Sequence, residues 1–231
     1  MNRAAPLRAA VFASGSGTNL QALLDHHAKD PPWRIRLVVS DREDAGALGR
    51  ARAAGVDARV IPVRGRPVED VSEETLAALT EAGVDVVFLA GYLRLVPRAV
   101  VAAYRRKILN IHPALLPAFG GKGMYGVHVH EAVLRSGVRI SGPTVHFVDE
   151  EYDRGMIVAQ WPVPVLPGDT PERLAARVLE VEHLLYPSAA DHLCRALLAG
   201  REAGPFALPG EAYTLARDAA ATVLARTLRE G

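Results

Sequence analysis

The chain has a single cysteine, Cys194, among its 231 residues. One thiol excludes an intramolecular disulfide and a multi-cysteine metal site. Its apolar, helix-like surroundings, Ala189 to Leu198, read it as a small core residue. An excess of charge of either sign is also lacking: 27 Lys and Arg face 26 Asp and Glu, for a net charge of +1. Nothing in that balance advertises nucleic acid or an anionic membrane as a partner. No apolar run approaches the roughly 18 residues of a membrane span. The opening MNRAAPLRAAVFASGSG has no signal-peptide core before glycines intervene. A cytoplasmic location is therefore the expectation. Two phosphate fingerprints are missing too. GxGxxG would need glycine where Leu20 stands, and no Gly-Lys-Ser/Thr closes a Walker loop.

What is present is an ordinary globular composition, 49% apolar and 23% charged, in a chain long enough for a real core. The first half alternates short apolar runs with helical patterns, the signature of parallel strands joined by crossover helices. Strands are expected at Arg8–Ala13, Arg34–Ser40, Ala58–Pro62, Val84–Leu89 and Lys107–Ile111. Helices are expected from Asn19 to about Ala28, over Ala45–Ala54 and from Val71 to Ala82. Arg139–Val148 and Met156–Val165 then alternate apolar and polar residues and read as an antiparallel pair. A long helix follows from Pro171 to about Leu198, with Thr170 as N-cap and proline in the first turn. The expected fold is α/β: one doubly wound, mostly parallel sheet with an antiparallel extension and a long C-terminal helix. Residues 1–200 form its domain, 200–210 read as a Gly/Pro-rich linker, and 201–231 is an extension with a helix at 211–229.

Three clusters carry chemistry. Ser14 to Asn19 sits between the first strand and first helix, where glycines allow a tight turn and helix N–H groups favour an anion. The same residues also suit a plain strand-to-helix turn. Asn110 and His112 come at the carboxyl end of a buried strand, where open α/β sheets hold their sites. Alternation puts both on one side, so an amide donor and an imidazole could polarise one carbonyl and supply a proton. A structural histidine fits that place as well. Asp153 lies in the acidic loop Asp149–Gly155, which by itself reads as a solvated turn. His128 and His130, two apart as on a strand, lack a third ligand, so no metal is expected. His146 reads as a residue that orients its neighbours, and Glu182, mid-helix, would need a partner if buried.

Together these pieces resemble the phosphoribosylglycinamide formyltransferase family. The matching segments are SGSGTNLQALL at 14–24, VDVVFLAGYLRLV at 84–96, LNIHPALLPAF at 109–119, GPTVHFVDEEYDRG at 142–155 and EHLLYP at 182–187. The likeness covers about residues 7–200 in family order. It implies transfer of a formyl group from 10-formyltetrahydrofolate to glycinamide ribonucleotide in purine biosynthesis, with no tightly bound cofactor. It further implies a Rossmann-like formyltransferase fold whose part up to about residue 105 holds the ribonucleotide phosphate and whose part 106–200 holds folate and the catalytic groups. Gly15, Ser16, Gly17, Thr18 and Asn19 would cradle the phosphate, with Glu182 near the ribose or phosphate. Leu93, Arg94, Leu95 and Val96 would hold the pterin, under a lid of Asp149, Glu150, Glu151, Tyr152 and Asp153. An arginine after the third strand, Arg66 in preference to Arg64, would touch substrate. Asn110, His112 and Asp153 would be the catalytic trio, with a protonated His112. Small molecules are the expected partners, with a homodimer as one assembly. A 10-formyltetrahydrofolate hydrolase and a non-catalytic nucleotide-binding module are the alternatives. The stretch GGKGMYGV before His128 departs from the shortest family versions.

Overall fold

Uninterrupted apolar runs suit strands buried on both faces. In the computed structural model, which describes residues 5–206, they form the middle of one sheet. β1 (Leu7–Phe12), β2 (Trp33–Ser40), β3 (Asp57–Val60), β4 (Val86–Leu89) and β5 (Ile108–His112) are parallel. β7 (Thr144–Phe147) and β8 (Ile157–Gln160) extend the sheet antiparallel, giving the order β3-β2-β1-β4-β5-β7-β8. β6 (Ile140–Ser141) and β9 (Val163–Pro164) pair separately. The expected antiparallel pair is therefore real, but each arm is broken in two. Gly142 has a φ of 138° and a Cβ there would run into the Trp161 carbonyl oxygen, so the close crossing requires glycine.

The helices are α1 (Thr18–Asp25), α2 (Gly46–Ala53), α3 (Val68–Glu81), α4 (Arg98–Ala103), α5 (Val127–Ser136) and α6 (Pro171–Leu198). A 3-10 turn, His26–Lys29, finishes what had read as one helix to Ala28. α3 starts after Pro67, carries Glu69 and Asp70 at its positive end, and buries Val71, Thr75, Ala78 and Leu79. It ends before Gly83, at φ 61°. Buried side chains from both faces of the sheet form two cores, one including Trp33, Phe88 and Tyr186, the other Phe12, Leu37 and Leu79.

α6 keeps the expected bounds, and the Thr170 side chain accepts from Arg173 N at 3.3 Å. Tyr186 on α6 is fully buried and shares its hydroxyl between the carbonyl oxygens of Leu89 (2.9 Å) and Leu109 (3.0 Å). Residues 201–206, expected to be a linker, dock on the sheet instead. Phe206 N donates to Val158 O, Arg106 Nη2 donates to Ala203 O, and Ala203 is buried. They cover the outer edge of β8, whose backbone groups would otherwise face solvent. The helix expected at 211–229 lies outside the described residues.

The strand order reverses between β1 and β4. Connections leave their carboxyl ends in opposite directions, and such a switch point opens a crevice. Ser14 ties its two sides together: Ser14 N donates to Gly91 O (3.0 Å) and Leu93 N donates to Ser14 Oγ (2.9 Å).

Candidate active site

That crevice is a cleft of about 1100 Å³ lined from the carboxyl ends of β1, β2, β4 and β5 and from α5 and α6. Asn110, His112 and Asp153 all line it. Alternation along β5 sends both Asn110 and His112 toward the same side. Asp153 reaches them from the turn after β7, where it adopts a left-handed φ of 56°, a conformation aspartate tolerates better than most residues. Gly155 closes that turn, since a Cβ there would strike the Phe147 carbonyl oxygen.

The contacts are specific. His112 is 4% exposed; its Nε2 lies 2.8 Å from the Phe119 carbonyl oxygen and its Nδ1 lies 3.6 Å from Asp153 Oδ2. A carbonyl only accepts, so Nε2 carries a proton and Nδ1 is the nitrogen left for chemistry. Gly121 N donates to Asp153 Oδ2 at 2.9 Å. Asn110 Nδ2 lies 3.0 Å from His146 Nε2 and 3.5 Å from Asp153 Oδ1. Burial lowers the His112 pKa, and the Asp153 charge and the Phe119 carbonyl only partly offset it. Burial thus favours the neutral ring at rest, in place of the expected imidazolium. Burial pushes the Asp153 carboxyl up, but its neighbours, the Gly121 N–H among them, outweigh it and hold the group low. Asp153 is a carboxylate.

Thr18 and Asn19 also line the cleft, whereas Gly15 and Ser16 are exposed outside the lining and Gly17 is buried. Gly17 has a φ of 77°, and a Cβ on it would sit 2.7 Å from Ala47 Cα. Its glycine is required by the packing of α2 as well as by the turn. Asn19 Nδ2 donates to Glu182 Oε2 at 2.7 Å, the partner that a buried mid-helix acid needs. Glu182 is 6% exposed, and its burial, only partly offset by Asn19, raises its pKa to about 7.

Leu93, Arg94, Leu95 and Val96 line the cleft along the loop after β4. Arg94 Nε bonds Asp41 Oδ2 at 2.7 Å, and the arginine side chain remains 42% exposed. Glu151 and Tyr152 line it too; Asp149 and Glu150 do not, and Glu150 pairs with Arg98 at 3.1 Å. Arg66 and Arg64 are outside the lining, and Arg66 is held by Glu74 at 2.6 Å. Lys122, His130 and Arg42 line the cleft without having been singled out for it. His128 and His130 lie on α5, not on a strand: His128 is exposed beside Glu131, and His130 is buried. Among the described residues no three metal-type side chains converge, and no helix is long and apolar enough to cross a membrane.

Residues 7–190 match the model of the formyl transferase family. A protein of Arabidopsis thaliana named chloroplastic phosphoribosylglycinamide formyltransferase is 48% identical over 198 residues, 84% of this chain and 68% of its own length. Its namesake in Vigna unguiculata is 44% identical over 84% of this chain and 63% of its own length. Among solved structures, glycinamide ribonucleotide transformylase 1 from Symbiobacterium toebii superposes with a TM-score of 0.78 at 44% identity. That match covers 84% of this chain and 90% of the other.

Proposed function

The chain belongs to the formyl transferase family, and on that premise we infer that it formylates glycinamide ribonucleotide. The formyl group of 10-formyltetrahydrofolate, the co-substrate, passes to the ribonucleotide amine, giving formylglycinamide ribonucleotide and tetrahydrofolate in purine biosynthesis. The observation that carries this reading is the meeting of Asn110, His112 and Asp153 in the same cleft that Thr18, Asn19 and Leu93–Val96 line.

In the mechanism we propose, the neutral amine attacks the formyl carbon, and negative charge grows on the formyl oxygen. Asn110 Nδ2 donates to that oxygen, a fixed donor aimed where charge develops. The attacking nitrogen becomes positive, and Nδ1 of neutral His112 takes its proton. Asp153 steadies the imidazolium so formed. The same proton then goes to the folate nitrogen as its bond to the formyl carbon breaks. Thr18 and Asn19 at the start of α1 present N–H groups to the ribonucleotide phosphate, and Glu182 takes the ribose hydroxyls. Gly15, Ser16 and Gly17 shape the turn. Leu93 to Val96 take the pterin beneath Glu151 and Tyr152. The division into a phosphate-binding part up to about residue 105 and a catalytic, folate-binding part after it belongs to the same proposal, as do a homodimer and a cytoplasmic location. Sedimentation of the purified protein and cell fractionation test the last two.

The test of the reaction is tetrahydrofolate formation from 10-formyltetrahydrofolate with and without glycinamide ribonucleotide. Turnover should require the ribonucleotide; release of formate at the same rate without it would make the enzyme a hydrolase.

A further inference from the structure

The mechanism leaves two buried histidines of the cleft, His130 and His146, without a part, and His146 is the one that meets the Asn110 amide. His146 is 2% exposed and stands directly opposite Asn110 in the β5–β7 register. Its Nδ1 lies 2.7 Å from the carbonyl oxygen of Phe147, an acceptor with no proton to give. Nδ1 must therefore donate, which places a ring proton there. In a neutral ring Nε2 is then a bare lone pair, and it points at the Asn110 amide nitrogen 3.0 Å away. The opposite amide orientation would set Oδ1 of Asn110 against that lone pair, two acceptors face to face with no hydrogen between them.

We propose that His146 is a positioning residue for formyl transfer: Nε2 accepts one N–H of Asn110 and thereby turns the other toward the formyl oxygen. The inference rests on the formyl-transfer reading. Asn110 alone cannot choose between its two amide orientations, because only one end of the group is useful to a developing oxyanion and both fit the same space. Asp153 Oδ1, 3.5 Å from Asn110 Nδ2, favours the same choice more weakly, and a substrate oxygen can displace it. A doubly protonated ring would turn its Nε2–H to Asp153 Oδ1, also 3.5 Å away, and would release the amide. Asp153 and, through the field in the site, His112 are the charged or titratable groups facing the ring.

Four variants test the assignment: His146→Phe, His146→Gln, Asn110→Ala and the double variant Asn110→Ala/His146→Phe. The glutamine oxygen can occupy the place of Nε2 and accept the same N–H. In His146→Phe, kcat should fall about 10- to 100-fold, short of or equal to the loss of an oxyanion donor, with KM for both substrates little changed. His146→Gln should restore most of that loss, and the double variant should be no slower than Asn110→Ala. A glutamine variant as slow as the phenylalanine variant, or losses that multiply in the double variant, would overturn the proposal. The ¹⁵N shifts of His146 in the wild-type protein give a readout independent of turnover and of any variant's folding. They should show a protonated Nδ1 and a bare Nε2; a proton on Nε2 refutes the assignment. Failure of the wild type to transfer formyl at all would instead refute the functional reading.

Discussion

Glu182→Gln should make the protein more stable at pH 8 while impairing its use of the ribonucleotide. The carboxyl is 6% exposed, its one hydrogen-bond partner among the described residues is the Asn19 amide at 2.7 Å, and burial raises its pKa from 4.5 to about 7. The folded state thus holds this proton more tightly than the unfolded chain does. The stability it contributes is complete below pH 4.5 and is lost as pH rises to 7. At 1.36 kcal/mol per unit, a shift of this size makes ionised Glu182 cost about 3 kcal/mol by pH 8. Glutamine keeps the shape and the acceptor for Asn19 but never ionises, so the variant escapes that cost. Wild type and variant should have similar stability at pH 4.5, and the variant should gain steadily above it. For a chain of this size the gap at pH 8 is roughly 6–12 °C in Tm. Urea unfolding from pH 4.5 to 8.5 measures it directly. A difference that stays flat with pH would mean that Glu182 is not a strained acid. Ribonucleotide affinity should fall about tenfold, because a hydrogen bond from a ribose hydroxyl to a carboxylate is stronger than one to an amide.

His112→Ala should lower kcat by about 10² or more while ribonucleotide binding, measured calorimetrically, persists; near-normal turnover removes Nδ1 from the proton path. Asp153→Asn removes the charge that raises the His112 pKa against burial, so the already lowered pKa falls further. The limb of the kcat–pH profile that reflects His112 protonation should move to lower pH and the plateau should drop; an unshifted limb disconnects the two residues. Ending the chain after residue 206 should preserve activity, whereas ending it after residue 200 should cost about 1–2 kcal/mol in urea unfolding, since Ala203 and Phe206 leave the core. Equal stability of the two truncations would show that the docking of residues 201–206 contributes nothing.

The fold was legible where strands are apolar on both faces and turns carry glycine, which is why β1, β2, β4 and β5 fall within two residues of expectation. The proposed catalytic trio was approachable because Asn110 and His112 sit two apart at a strand end, a geometry that alternation fixes. The rest was hidden for particular reasons. Val127-His128-Val129-His130 alternates as a strand does, yet helix α5 forms because Val129, His130 and Val133 share one face and Gly137 ends it at φ 75°. α4 is only six residues long, too short for its 3.6-residue period to show. Arg66 has the right charge, but Glu74 in the second turn of α3 captures it. The Asp41–Arg94 pair joins two loops 53 residues apart, a distance over which spacing carries no information. The state of His112 depends on burial, which sequence shows only once the fold is known.

The hydroxyl of Tyr186 has a consequence for rate. It fastens α6 to the carbonyls that end β4 and immediately precede Asn110, and Glu182 lies one turn away on that helix. The group that we assign to the ribose and the group that we assign to the formyl oxygen therefore ride on one rigid body. When the ribonucleotide seats at Glu182, its amine has little translational freedom left to lose before attack. Fixing two reactants in this way can be worth an effective concentration of about 10⁵ M or more. A Tyr186→Phe enzyme would keep every ligand contact proposed for the cleft together with its histidines and carboxylates, and would still let the two halves of the reaction drift relative to each other.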